Sequence, residues 1–140
     1  MKALDSLIRL RKLALDDKRR QLRELEHLED RLRSQYRLLE EELTAEQRVA
    51  RAGPVEAGLT YGSYASGVVA RRERLQSSID EVLAQIEQMR TQLGAAFEEL
   101  KRFEITRDRK LVQARQAAER REQQFLDEVG LNQFRRRSRA

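Results

Sequence analysis

The sequence predicts an all-α fold: two long helices in an antiparallel coiled-coil hairpin, with the C-terminal end of the second helix overhanging the first. Three observations carry this. From Val68 to Phe103, steps of four and three residues meet Val68, Arg72, Leu75, Ile79, Val82, Ile86, Met89, Leu93, Ala96, Leu100 and Phe103, apolar at every position but Arg72. That 3.5-residue spacing is a narrow coiled-coil seam, not the broad apolar face of a globular helix. A second seam runs through residues 4–50, and the only proline, Pro54, lies between the two with four of the six glycines.

The first helix is predicted over about residues 3–50. Its seam reads Leu4, Ile8, Arg11, Leu15, Lys18, Leu22, Leu25, Glu29, Leu32, Tyr36, Leu39, Leu43, Glu46 and Ala50. The four polar members suit a thin two-helix interface, where long side chains reach water from a buried stem. At 1.5 Å per residue this helix is about 70 Å long. Leu7, Leu10 and Leu13 lie off the seam, so a two-helix pair leaves apolar surface for another partner.

Residues 51–66 are predicted as the loop. Gly53-Pro54 stops the first helix, and Gly58, Gly62 and Gly67 favour a loose backbone. They form no phosphate loop, since no Gly-Lys-Ser/Thr follows and no strand precedes. The second helix is then expected over about 67–130. Folding the hairpin about residue 58 places Tyr36 near Asp80, Ala50 near Ser66 and Leu4 near Val112. From about Leu111 the second helix projects with no partner in the same chain. Gly130 reads as a helix stop, with Leu131 folding back on Leu126. A basic tail, 131–140, reads as disordered when free. Together these segments make one domain, 1–140.

Charge is uneven along the chain. The net formal charge of +5 resolves into +1 for residues 1–50, −2 for 51–100 and +6 for 101–140. The free end therefore favours an acidic partner. Nucleic acid is disfavoured: the basic groups are interleaved with acids, and no aromatic stacking platform accompanies them. Cysteine is absent, which excludes disulfide and thiol chemistry and suits the cytoplasm. No apolar run approaches the ~20 residues of a membrane span. The opening Met1-Lys2-Ala3-Leu4-Asp5 has no signal-peptide apolar core.

Catalysis, small-molecule substrates, cofactors and metals are not expected, because a two-helix hairpin offers no enclosed site where reactive groups converge. His27, the only histidine, falls two residues past Leu25 on the outer face. Glu40-Glu41-Glu42 point in different directions on a helix and read as a solvated surface.

Residues 119–134, Glu-Arg-Arg-Glu-Gln-Gln-Phe-Leu-Asp-Glu-Val-Gly-Leu-Asn-Gln-Phe, resemble the C-terminal signature of the flagellar export protein FliJ family. In that signature a charged Arg/Glu/Gln/Lys run leads into Leu-Asp-Glu, with an aromatic or basic residue about six positions on. Leu126-Asp127-Glu128 and Phe134 fit it. Gln124 stands where lysine is common, Gly130 where alanine is common, and Gln133 where arginine is common. The Leu-rich opening from Leu4 to Lys12 is similar too, and Tyr61 and Tyr64 resemble tyrosines that precede the family's second helix. Gly67 stands where a larger side chain is usual.

The resemblance implies a non-enzymatic part of the flagellar type III export apparatus, a stalk-like protein similar to the central shaft of rotary ATPases. It would be cytoplasmic and peripherally associated with the inner membrane. Implied partners are the hexameric export ATPase, the cytoplasmic domain of the export gate, and export chaperones. Leu7, Leu10, Leu13, Arg115, Arg120, Arg121, Phe125, Leu126 and Phe134 are the residues expected at the ATPase ring. Tyr61 and Tyr64 are those expected at the gate. The alternatives are the equivalent stalk of an injectisome, a basic nucleic-acid-binding coiled coil, or a structural spacer.

Overall fold

The computed structural model describes residues 2–139. Met1 and Ala140, the two ends of the expected domain, lie outside the described residues. Two helices account for nearly all of it: α1 (Lys2–Ala52) and α2 (Val55–Arg139), packed against each other as a helical hairpin. No strand occurs among the described residues. Asp5 and Glu56 sit in the first turns of α1 and α2, and Arg51 and Arg139 in their last turns, each complementing the helix dipole.

The chain divides into two compact units, Met1–Leu13 with Phe97–Ala140, and Ala14–Ala96. In the second unit the seam positions Leu15, Leu39, Val68, Ile79, Val82 and Ile86 are buried. Arg72 reaches Glu40 at 3.9 Å and Arg90 reaches Glu26 at 3.8 Å, which fixes an antiparallel register. In the first unit Ile8 and Leu100 form the buried pair. Beside them the Arg11 guanidinium lies 5.7 Å from the centre of the Phe103 ring and 3.1 Å from a Glu99 carboxylate oxygen. A cation on the seam is thus held by a ring face and a carboxylate together. Every residue of the Val68–Phe103 seam is buried or half-buried, and of the α1 seam only Glu46 is exposed.

The connection differs from the expected 51–66 loop. α1 stops at Ala52, only Gly53 and Pro54 lie between the helices, and α2 begins at Val55, twelve residues earlier than expected. The Ala57 N–H donates to the Pro54 carbonyl at 3.0 Å and closes the first turn. Gly58, Gly62 and Gly67 are helical, with no positive φ. Each costs roughly 1 kcal/mol of helix propensity. The cost is offset because the α2 seam continues backwards from Val68 through Tyr64, Tyr61 and Ala57, all at least half-buried. Ala50 accordingly lies beside Ala57 and not near Ser66.

The C-terminal end differs as well. α2 runs through Gly130, which has no positive φ and makes no Schellman turn, and the expected tail 131–139 is helical. Arg136, Arg137 and Arg139 in the last turn favour that end of the helix. The unpartnered part of α2 begins at Asp108, slightly before the expected Leu111. From there to Arg139 every residue but Val129 is exposed.

A Cβ built at Gly58 or at Gly67 meets nothing within 4 Å. Gly58→Ala and Gly67→Ala should therefore each raise stability by about 0.5–1 kcal/mol in thermal denaturation. A loop at these positions would give no such gain. Ile79→Ala, in the buried seam, should cost about 2–5 kcal/mol.

Candidate functional site

The free part of α2 carries most of the expected partner residues. Phe125, Leu126, Leu131 and Phe134 are all more than half exposed. At about 100° per residue they fall near 0°, 100°, 240° and 180° around the helix axis, so no single face gathers them. Arg115, Arg120 and Arg121 are exposed and make no ion pair among the described residues. Residues 108–139 hold nine basic and five acidic groups, a net charge of +4. This segment can offer aromatic and aliphatic anchors over more than one face, with guanidinium forks suited to carboxylates.

On α1, Leu10 and Leu13 are 62% and 61% exposed, on the side away from the seam. Leu7 does not join them. It is half-buried at the edge of the seam, next to Ile8. Helix geometry separates the three, because Leu7 lies about 100° from Ile8 while Leu10 and Leu13 lie nearly opposite it.

Tyr61 and Tyr64 sit on α2 itself and not in a loop, where they line a shallow depression with Glu46, Val49, Ala50, Ala57 and Thr60. The Tyr64 hydroxyl oxygen is shielded from water and has no hydrogen-bond partner among the described residues. Desolvation, first, and the nearby carboxylates of Glu42 and Glu46 push its pKa above the ordinary tyrosine value, while Arg71 acts in the opposite direction.

One groove escaped the reading of the sequence. Gln35, Leu38, Leu39 and Glu42 of α1 face Arg71, Arg74, Leu75 and Ser78 of α2 across an open furrow of about 420 Å³. Both sets have helical i, i+3, i+4, i+7 spacing, a signal present in the sequence but visible only once the register is known. His27 is exposed, as expected. No group of three metal-ligating side chains forms among the described residues, and no described helix is long and apolar enough to cross a membrane.

The family model described as flagellar FliJ protein matches residues 1–139. The chain belongs to the FliJ family. No curated protein and no solved structure matches it. Membership makes it a component of flagellar protein export. The Leu-Asp-Glu signature of this FliJ-family chain, Leu126–Glu128, falls in the exposed part of α2.

Tyr64→Phe tests the shielded hydroxyl. A tyrosine whose folded pKa is raised leaves stability unaffected below the unfolded pKa, and stability then falls as pH rises through the folded value. The wild-type chain should therefore lose stability above about pH 10, and part of that loss should vanish in Tyr64→Phe. Denaturation followed across alkaline pH, with phenolate absorbance as the second readout, checks it.

Proposed function

We propose that this chain is a stalk-like partner of the flagellar export ATPase ring, which it links to the export gate and to export chaperones. It works in the cytoplasm at the inner-membrane face of the export apparatus. One observation supports the reading above others: residues 108–139 form an unpartnered helix whose large apolar groups spread over about two-thirds of its circumference and not along one stripe. A helix apolar on one side calls for a partner on that side, whereas one apolar over more than one face suits enclosure. A ring with an acidic lumen supplies both the enclosure and the counter-charge for a segment of net charge +4. Phe125, Leu126 and Phe134 are the anchors, Arg115, Arg120 and Arg121 the carboxylate partners, and exposed Leu10 and Leu13 extend the contact on α1. Leu7 supports that contact from the seam.

The gate contact is assigned to Tyr61 and Tyr64, which line the depression near the turn. The hairpin catalyses nothing in this reading. It transmits a contact from one end of the export machinery to another. Membership in a flagellar family favours the flagellar system over the injectisome.

Truncation before Glu119 leaves every buried seam residue in place. The truncated chain should keep its thermal transition, lose binding to the purified ATPase, and fail to support swimming motility. Leu126→Ala with Phe125→Ala should weaken binding in the same direction, and added salt should weaken it further. Normal motility from the truncated chain would move the ring contact elsewhere. Tight binding to duplex DNA at physiological salt, with no export protein bound, would make the chain a nucleic-acid binder instead.

A further inference from the structure

Within Ala14–Ala96, the turn end of the hairpin has the least to hold it closed. The buried seam stops at Leu39 and Val68, and no residue from 40 to 67 is buried. The last ion pair between the helices toward the turn is Arg72–Glu40. Beyond it the seam consists of half-buried Leu43, Ala50, Ala57, Tyr61 and Tyr64, with Glu46 exposed. On the other side of Val68, by contrast, Ile79, Val82 and Ile86 are all buried within about two turns.

The helix over the same stretch is weak on its own account. Four of the six glycines fall in 53–67. Glycine gives up more backbone freedom on folding than any other residue, so each one favours the open chain. Neither crowding nor backbone conformation calls for glycine at 58, 62 or 67, where a built Cβ meets nothing within 4 Å and no φ is positive. Ala57–Ala70 is the longest uncharged stretch of the sequence, so no ion pair one turn apart supports the helix there. Closure also shields the Tyr64 hydroxyl from water without giving it a hydrogen-bond partner among the described residues. Opening relieves that penalty.

We infer that residues 55–67 are a latch, in equilibrium between a helix packed on the end of α1 and a locally opened chain, and that this equilibrium controls when Tyr61 and Tyr64 are free to bind. The buried seam of Val68, Ile79, Val82 and Ile86 stays closed throughout. In the packed form both tyrosines are half-buried and line one depression with Glu46, Val49 and Ala50 of α1. In the opened form both rings are available to a partner over their whole surface. Such local openings occur well below global unfolding, in segments with few buried contacts. The control step rests on the assignment of the export gate to Tyr61 and Tyr64. The gate's affinity for this chain is then its affinity for the open form, reduced by the fraction that is open.

The test uses the full chain. In native-state hydrogen exchange the amides of 58–67 should be at least about a hundredfold less protected than those of 76–90. Gly58→Ala, Gly62→Ala and Gly67→Ala together should slow exchange at 58–67 about ten- to hundredfold. Gly94→Ala, at another exposed helical glycine with open space around it, should leave 58–67 unchanged. Equal protection of the two segments in the wild-type chain overturns the latch. Nitration by tetranitromethane, mapped by mass spectrometry, reads the rings directly, with no cysteine to compete. Tyr36, half-buried on the α1 seam, is the internal control. The triple variant should slow nitration of Tyr61 and Tyr64 by the factor seen in exchange and leave Tyr36 unaffected. Tyrosines 61 and 64 that react equally fast in both chains are accessible without opening, which overturns it too. Binding to the cytoplasmic domain of the gate should weaken in the triple variant by that same factor. Unchanged or tighter binding shows that the gate takes the closed form and overturns the control step. Tyr61→Ala with Tyr64→Ala separates the two readings. If that chain also binds as the wild type does, the gate assignment has failed, and exchange and nitration alone decide whether this end opens.

Discussion

Burial of one narrow apolar stripe against another is the interaction on which the remaining structure depends. A seam repeating every 3.5 residues leaves most of each helix circumference polar, so it is satisfied by a second seam and by little else. Tyr61, Tyr64 and Val68 keep α2 helical through a glycine-rich stretch because they continue that seam. Arg11 tolerates its seam position because Phe103 and Glu99 receive its guanidinium. The paired polar contacts Arg72–Glu40 and Arg90–Glu26 flank the seam and select the register, although exposed pairs of this kind add little stability.

The same constraint leaves Leu10, Leu13, Phe125, Leu126 and Phe134 on the surface. Two helices paired along a single seam leave open furrows between them, such as the one between Leu38 and Arg74. They also leave unpartnered helix, of two chemically distinct kinds. Residues 108–139 carry a net charge of +4 and exposed apolar groups spread over about two-thirds of the helix circumference. Residues 55–69 present one exposed, uncharged stripe, Val55, Leu59, Gly62, Ser66 and Val69, on the side away from α1.

Glycine has the same backbone cost at Gly58, Gly62, Gly67 and Gly130, yet none of them breaks α2. Near the turn, burial of the tyrosines offsets that cost. At Gly130 no packing is available in the chain. There the arginines of the last turn act favourably on the helix dipole, and the residues on either side are ordinary helix formers.

By itself the sequence determined the helical character, both seams, their antiparallel pairing and the exposed C-terminal overhang, because each follows from the spacing of apolar residues along one helix. It also carried the family, through Leu126-Asp127-Glu128 and Phe134. Tertiary structure decided the two-residue turn, the helical state of 55–66 and 131–139, the half-burial of Leu7 apart from Leu10 and Leu13, and the groove between Leu38 and Arg74. The physical reason is locality. Gly-Pro and Gly-rich stretches signal a loop through their local propensity, whereas the burial of Tyr61 and Tyr64 against the end of α1 is a non-local gain, available only when the two helices lie side by side.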